Sequence, residues 1–172
     1  TWQDGSGLWA DTLLTEYEYN QDNLISLATT KIRNTNTSTW DNGLRMTYLY
    51  DGSNNNDSLL TEIWISNQWK NLSLTANQFN PDGTVNRAVT QIWVGTSWFN
   101  VTKSTYSYNP DKTVSQVINE QWQLVSWKNG SRLRYTYSAQ AKVLTEYADA
   151  WKSGQWKDSA RITNTYDGSN YM

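Results

Sequence analysis

A 29-residue repeat of aromatic residues constrains the fold of this chain more than any other feature of the sequence. The chain has 172 residues, and 11 of them are Trp. One series of tryptophans at this spacing comprises Trp64, Trp93, Trp122 and Trp151, and a second comprises Trp40, Trp69, Trp98, Trp127 and Trp156. A third aromatic series at the same spacing comprises Tyr50, Phe79, Tyr108, Tyr137 and Tyr166. A fixed period of this length indicates that one supersecondary unit is repeated along the chain.

Six units follow from this period, and together they form a single repeat domain over residues 1–172. Their approximate ranges are 2–32, 33–63, 64–92, 93–121, 122–150 and 151–172. The first units are longer, because Trp9 and Trp40 are separated by 31 residues. Since the chain opens at Thr1 rather than at Met, we expect it to be a fragment of a longer array.

Each unit has the residue pattern of a β-hairpin. The Tyr-x-Tyr pairs have the two-residue period of a strand, and Thr, Tyr, Trp and Val are residue types that strands favour. The segment Asn80-Pro81-Asp82-Gly83 has the composition of a hairpin loop. At the other end, a two-residue loop at Ser66-Asn67 would place Trp64 directly opposite Trp69. The sequence therefore predicts an all-β fold, an antiparallel β-meander of about 12 strands built from six 29–31-residue β-hairpin repeats.

Uninterrupted alternation of side chains predicts that all the aromatic rings share one face of this sheet. The residues of one strand on that face would be Trp98, Asn100, Thr102, Ser104, Tyr106 and Tyr108. The other face would be mostly polar, with Lys103, Arg132 and Arg134, apart from an apolar patch comprising Ile63, Leu72, Leu74, Ile92, Phe99 and Val101. Because so large an aromatic face must be buried, we expect the sheet to be rolled or coiled as a shell, a barrel or a superhelical sheet.

A polar row next to the Trp pairs is the main candidate site. The hairpin register predicts that Glu62 lies opposite Asn71 and that Glu120 lies opposite Asn129. Aromatic platforms beside amide and carboxylate groups are suited to binding a glycan. The residues of such a site would be Trp69, Trp93, Trp98, Trp122, Trp127, Asn71, Asn100, Asn129, Glu62 and Glu120. A cross-strand ladder that satisfies its own polar groups is the other interpretation, and recurrence in every unit favours it.

Composition argues against several classes of function. The chain contains no Cys and no His, so the usual ligands of zinc, copper and haem are missing and a disulfide framework is excluded. No motif of a catalytic or cofactor site occurs, and the Asp51–Asp57 loop has the composition of a solvated turn rather than of a calcium site. The net charge is −2, without the clusters of Lys and Arg that nucleic acids require. We therefore expect a non-enzymatic chain without cofactor or metal, which neither binds nucleic acid nor spans a membrane.

Two short patterns carry a resemblance to known repeats. W-x-x-G-x-W, seen at Trp151–Trp156, and Y-x-Y-N, seen at Tyr106–Asn109, resemble repeats in secreted and surface proteins of Bacteroidota that are type IX secretion substrates. More distantly, the chain is similar to YD (RHS) repeats, whose strands wrap into a shell. The resemblance implies an extracellular or cell-surface location and contact with a secretion machinery. An O-glycosylation sequon of that phylum would place glycans at Thr12, Ser58 and Ser159.

The leading functional hypothesis is a non-enzymatic extracellular structural and adhesive repeat module of a secreted or cell-surface protein. Such a module would contact neighbouring repeats or other chains through its apolar patch or through open sheet edges near residues 2–20 and 162–171. One alternative is a carbohydrate-binding module that takes a polysaccharide on its Trp, Asn and Glu residues. Another alternative is part of a YD/RHS-like shell that encloses a cargo or toxin.

Overall fold

The chain folds as an antiparallel β-meander. A computed structural model describes residues 12–166, and every regular element in that range is a β-strand. The strands are β1 (Leu13–Tyr19), β2 (Ile25–Arg33), β3 (Trp40–Tyr50), β4 (Asn56–Ile65), β5 (Gln68–Phe79), β6 (Val85–Val94), β7 (Ser97–Tyr108), β8 (Val114–Gln123), β9 (Ser126–Tyr137), β10 (Val143–Lys152) and β11 (Gln155–Thr163). Their order in the sheet is their order in the chain, which confirms the predicted all-β meander. The further strand predicted from Trp2 lies outside the described residues.

The strands are distributed over two compact units. Unit 1 contains Thr1–Ala76 and Gln91–Phe99, and unit 2 contains Asn77–Thr90 and Asn100–Met172. Both units are built from the same kind of hairpin, as the 29-residue period requires. Within residues 12–166, no helix is long and apolar enough to cross a bilayer.

Tight turns set the register of the hairpins as predicted. Trp64 lies opposite Trp69 in unit 1, and the same pairing occurs at the Trp turns of unit 2. Ser66 and Asn67 both have positive φ, 52° and 58°, as in the turn type whose twist matches that of a hairpin. At the opposite ends of the strands, Gly83 and Lys112 occupy equivalent left-handed positions with φ of 83° and 65°.

A one-residue bulge interrupts four of the strands that have a Trp as their first or second residue. In the β8–β9 pair, Glu120 lies opposite Asn129 and Asn119 lies opposite Ser131, so that Gly130 is an extra residue. The equivalent extra residues in β3, β5 and β11 are Gly43, Leu72 and Ser159. An extra residue reverses the alternation of side chains along the strand that contains it.

Because of these bulges, the prediction that all aromatic rings share one face is wrong. Beyond the bulge in β9, Arg132 lies opposite Ile118. Ile118 is on the same side as Glu120 and Trp122, since these residues alternate along β8 without interruption. Tyr135 therefore points away from the Trp pair. We call the side of Trp122 and Glu120 the Trp face, and the side of Tyr135 the Tyr face. The cations Lys103, Arg132 and Arg134 were predicted on the face away from the tryptophans, but they lie on the Trp face.

Side-chain burial is shallow on both faces. Ala28 and Val117 are the buried apolar residues among those described, with 1% and 9% of their surface exposed. The tryptophans among the described residues are at most half-buried, and Trp151 is 37% exposed, so the burial expected for the aromatic rings is not reached. Asp149, by contrast, is a charged residue with only 1% exposure. Cross-strand pairs and polar contacts therefore stabilise this fold to an unusual degree.

Candidate functional site

Paired indole rings stand at each two-residue turn. The Trp64–Trp69 pair has ring centroids 5.0 Å apart and an interplanar angle of 64°. The other three Trp pairs repeat this edge-to-face geometry at 4.9–5.1 Å and 68–71°. This geometry is favoured by the ring quadrupoles, so each pair adds stability beyond its buried area. The indole rings therefore have a structural partner within their own hairpin.

A cation connects each of three Trp pairs to a carboxylate on the Trp face. In unit 1, Arg45 Nη2 lies 2.7 Å from Glu62 Oε2, and Arg45 Nε donates a hydrogen bond of 2.8 Å to the same oxygen. The guanidinium carbon of Arg45 is also 4.7 Å from the ring centroid of Trp69. Glu62 is 8% exposed, so its charge is neutralised where water has little access. We call these three residues and their equivalents the cation–acid–Trp cluster.

The cluster recurs twice in unit 2. Lys103 Nζ lies 2.7 Å from Glu120 Oε2 and 5.1 Å from the ring centroid of Trp127. The third cluster joins Arg132, Asp149 and Trp156, with an ion pair of 2.7 Å and a ring distance of 4.9 Å. A fourth set of equivalent positions holds Leu74, Gln91 and Trp98, so the cation and the acid are both replaced by neutral residues. Replacement of both charges together is typical of a pair that neutralises itself.

The predicted glycan residues are divided between the two units, and several are occupied by contacts within the chain. The predicted pairings of Glu62 with Asn71 and of Glu120 with Asn129 are confirmed. Trp93 and Trp98 form one pair, and Trp122 and Trp127 another, while Asn100 lies on β7. The carboxylates of the two glutamates are held in ion pairs, and cations cover Trp69 and Trp127. Glycan binding by these residues stays a prediction.

Sequence reasoning missed the cations of the clusters. Alternation without bulges had placed Lys103 and Arg132 on the wrong face. The signal that could have found them is their period, since Arg45, Lys103 and Arg132 recur in step with the acids seventeen residues later. A cation and an acid that keep a constant separation across repeats indicate a contact between neighbouring strands.

Asp149 is the most strongly held charge of unit 2. Arg134 donates from Nε to Oδ2 at 2.9 Å and from Nη2 to Oδ1 at 3.0 Å, and Arg132 Nε donates to Oδ2 at 2.7 Å. Arg134 Nη2 also lies 3.5 Å from Oδ1 of the exposed Asp158. The hydrogen bonds from Arg134 and then Arg132 hold the pKa of Asp149 far below its usual range, although burial opposes the shift. The bond to Asp149 in turn raises the pKa of Arg134.

A cleft beside Asp149 carries two departures from the repeat. Its volume is about 390 Å³, and its walls include Ser107, Gln116, Arg134, Thr136 and Tyr147. The ring of Tyr147 lies 5.0 Å from the guanidinium carbon of Arg134 and 5.4 Å from that of Arg161. At the position of Tyr147 the other repeats hold Leu60, Val89 and Ile118, and at the position of Arg134 they hold Thr47, Ala76 and Thr105. The two exceptional residues lie opposite each other on β9 and β10.

Tyrosine hydroxyls bond across the Trp-turn hairpins, at the end away from the Trp pair. Tyr108 donates a hydrogen bond of 2.8 Å to the carbonyl oxygen of Val85, and Tyr137 donates an equivalent bond of 2.8 Å to Val114. The same contact recurs from Tyr50 to Ile25 and from Tyr166 to Val143. Partial burial, the largest cause, raises the pKa of Tyr108 and of Tyr137. The sequence predicted the Tyr positions but not the backbone acceptor.

The predicted loop and modification residues lie in ordinary surroundings. Asp51 accepts hydrogen bonds from the side-chain amide of Asn55 at 3.0 Å, from the backbone of Asn55 at 3.0 Å and from the backbone of Ser53 at 2.8 Å, and these contacts lower its pKa. Among the described residues, no group of three His, Cys, Asp or Glu could hold a metal ion. Thr12 and Ser159 are exposed, whereas Ser58 is only 8% exposed, which disfavours a glycan there.

Comparison with known proteins gives structural likenesses but no family. No protein-family model matches the chain, and no curated protein matches it. It is similar to a DUF3836 family protein from Bacteroides vulgatus, with 18% identity and a TM-score of 0.47 over 54% of this chain and 98% of that one. It is also similar to a protein of unknown function from Bacteroides fragilis, with 12% identity and a TM-score of 0.42 over 88% and 91%. A porin-like protein from Bacteroides uniformis matches at 12% identity and a TM-score of 0.24 over 86% of each chain.

Proposed function

We propose that this chain is a non-enzymatic structural and adhesive repeat module of a secreted or cell-surface protein. The observation that carries the proposal is the replacement of both charges in the fourth cluster, where Leu74 and Gln91 stand for a cation and an acid. Loss of one charge alone would leave its partner with little access to water and without a counter-ion. A row whose charges neutralise each other within the sheet is free to lose both.

The tyrosine bonds support the same proposal. Each hydroxyl donates to a backbone carbonyl of the neighbouring strand, as Tyr137 on β9 donates to Val114 on β8. Any residue type can supply a backbone carbonyl, so the contact tolerates sequence change in the acceptor strand. Repeats that contact mainly their neighbours can be added or lost without redesign of the rest of the array. A surface protein that must vary its reach needs this property.

An apolar patch on the Tyr face of unit 1 supplies the adhesive part of the proposal. Ile92 and Phe99 are 42% and 52% exposed, and Leu72 in the bulge of β5 is 42% exposed. Leu74, predicted in this patch, lies on the Trp face instead, because it pairs with Leu60 beyond that bulge. The positions of Ile92 and Phe99 hold Gln121 and Lys128 in unit 2, so the repeat itself does not require apolar residues there.

Two experiments test this proposal. Protease digestion of intact source cells should remove the chain, and protection of the chain until the cells are lysed would contradict a surface location. Light scattering should show concentration-dependent association of the purified chain that weakens in the double variant Ile92→Gln/Phe99→Lys, which copies the residues of unit 2. A chain that is monomeric at high concentration with both apolar residues in place would contradict adhesion through this patch.

Carbohydrate binding is the second candidate, and one observation favours it. Tyr147 and Arg134 depart from the repeat at the same cleft, and they combine an aromatic ring with a guanidinium. Aromatic rings stack on sugar faces, and guanidinium groups bind the carboxylates of uronic acids in bidentate fashion. This cleft, rather than the Trp row alone, is where we would look for binding of an acidic polysaccharide.

A further inference from the structure

The turn between β8 and β9 differs from the other Trp turns in its residues. Those turns are Ser66-Asn67, Gly95-Thr96 and Ser153-Gly154, which are all polar or contain Gly. The β8–β9 turn consists instead of Leu124 and Val125, whose surfaces are 95% and 85% exposed. These are the two most exposed large apolar residues in the described part of the chain. Exposed aliphatic side chains at a hairpin tip do not contribute to the stability of the hairpin.

The backbone of this turn is also unfavourable for its sequence. Leu124 has a φ of 56°, a region that suits Gly. The equivalent positions of the other two-residue Trp turns hold the small residues Ser66, Gly95 and Ser153, with φ of 52°, 63° and 51°. The N–H of Val125 donates a hydrogen bond of 2.7 Å to the carbonyl oxygen of Gln123, which closes a three-residue turn around the strained leucine. Leu124 is thus unfavourable in two ways, because its apolar side chain is exposed to water and its backbone has a positive φ. Such a residue indicates a role other than folding.

Three lysines stand at the same end of unit 2 as the apolar tip. Lys128 lies on β9 just after the turn, and Lys152 and Lys157 flank the next Trp turn, at Ser153-Gly154. The two hairpins are neighbours, since Ala150 on β10 pairs with Ser131 on β9. All three lysines are exposed, and none forms an ion pair with another described residue. The apolar tip is therefore accompanied by unneutralised positive charge.

The positive charge of the chain is concentrated in the unit that carries this tip. The described residues of unit 2 include ten Lys and Arg against six Asp and Glu, whereas those of unit 1 include four against seven. Behind the tip stands the Trp122–Trp127 pair, with centroids 5.0 Å apart. An aliphatic tip, indoles behind it and flanking lysines are the combination that suits the headgroup region of a bilayer.

We propose that the Leu124-Val125 tip inserts into the surface of a bilayer that contains anionic lipid. A bilayer is favoured over a protein partner because a convex tip of two side chains cannot form a protein interface of ordinary size. Insertion into lipid requires no shape complementarity, only apolar side chains that can leave water and cations that face anionic headgroups. The proposal does not depend on the structural function proposed above, since it concerns one turn.

Vesicle sedimentation tests the tip directly. The chain should sediment with vesicles of phosphatidylcholine mixed with phosphatidylglycerol, and less with phosphatidylcholine alone. The double variant Leu124→Ser/Val125→Asn copies the Ser66-Asn67 turn and should bind at least about tenfold more weakly, with no loss of thermal stability. Ile65→Gln, at a 50% exposed apolar residue of unit 1, is the matched control and should bind like the unmodified chain. Equal binding by the double variant would overturn the proposal.

A fluorescent label gives a second, independent readout. The chain contains no Cys, so Val125→Cys carries a single environment-sensitive fluorophore at the tip. Its emission should shift to the blue on anionic vesicles, whereas a label at Thr96→Cys, the equivalent position of another Trp turn, should respond little. An equal response at both positions would overturn the proposal. Binding of the chain to a protein or to its own copies through the tip, without any vesicle response, would also overturn it.

Discussion

The hydroxyl of Tyr108 lies 2.8 Å from the carbonyl oxygen of Val85, and the same bond recurs in three other repeats. In each case the Tyr lies at the end of a strand, or just after it, and its acceptor is the first residue of the strand that precedes it in the chain. The bond therefore joins the same two strands as a Trp pair, as Tyr108 and Trp98 on β7 contact Val85 and Trp93 on β6, but at the end of the hairpin away from the turn.

Removal of this hydroxyl should weaken the fold without changing its shape. Tyr108→Phe deletes one donor and leaves the ring in place, so the free energy of unfolding should fall by about 1 kcal/mol. Urea unfolding measures the loss, and Tyr137→Phe should give a similar value. Tyr17→Phe, at a 53% exposed tyrosine, is the control and should leave stability unchanged. Equal stabilities of all four proteins would show that the bond adds nothing.

The charges of the cluster in unit 2 should be coupled. Lys103→Leu alone leaves Glu120 without its cation and should cost about 1 kcal/mol or more. Adding Glu120→Gln copies the natural Leu74 and Gln91 combination and should restore much of the loss. A double-mutant cycle by chemical denaturation gives the coupling energy. Strict additivity of the two changes would contradict the interpretation that the pair neutralises itself.

Asp149 should make stability depend on pH in the acid range. Its folded pKa is depressed by the hydrogen bonds from Arg134 and Arg132, so the carboxylate form stabilises the folded state. That stabilisation is fully present above the unfolded pKa of about 4 and is lost as the pH falls through the depressed folded value. Asp149→Asn should destabilise the chain by about 3 kcal/mol at neutral pH. It should also flatten the decline of stability below pH 4, as followed by thermal unfolding across that range.

A contrary result for Asp149 is easily recognised. If the asparagine variant lost stability on acidification as steeply as the unmodified chain, other carboxylates would dominate the acid response. Asp111 is a useful comparison, since its pKa is lowered by hydrogen bonds from Thr113 within an exposed loop. Asp111→Asn should therefore leave most of the acid sensitivity in place.

The period of the sequence predicted the residues and strands of each repeat. It failed at the bulges, where one extra residue reverses which face of the sheet the following side chains occupy. The Trp pairing and the opposition of Glu62 to Asn71 followed from two-residue turns, whose geometry fixes the pairing locally. The face of the tyrosines did not follow, because Trp98 and Tyr108 stay an even number of residues apart whether or not a bulge lies between them. The extra residues have no common type, since they include Gly130, Leu72 and Ser159.

The cleft next to Asp149 was equally hidden from the sequence. Tyr147 lies outside the Tyr-x-Tyr positions, and Arg134 was predicted on the face away from the tryptophans. Only the cross-strand pairing of these two residues shows that both departures from the repeat lie at one place. A repeat pattern records what the units share, and a site specific to one unit is visible only as an exception to it.

Binding of an acidic polysaccharide would test that cleft against the Trp row. Tyr147→Leu restores the residue type of the other repeats, as in Leu60, and should keep the fold while it removes the stacking ring. If the cleft binds uronate chains, affinity measured by calorimetry should fall about fivefold or more in this variant, since an aromatic stack contributes on the order of 1 kcal/mol or more. Trp98→Ala is the parallel test of the platforms predicted from the sequence. Loss of binding in Trp98→Ala but not in Tyr147→Leu would move the site to the Trp row, and no binding by the unmodified chain would remove carbohydrate recognition altogether.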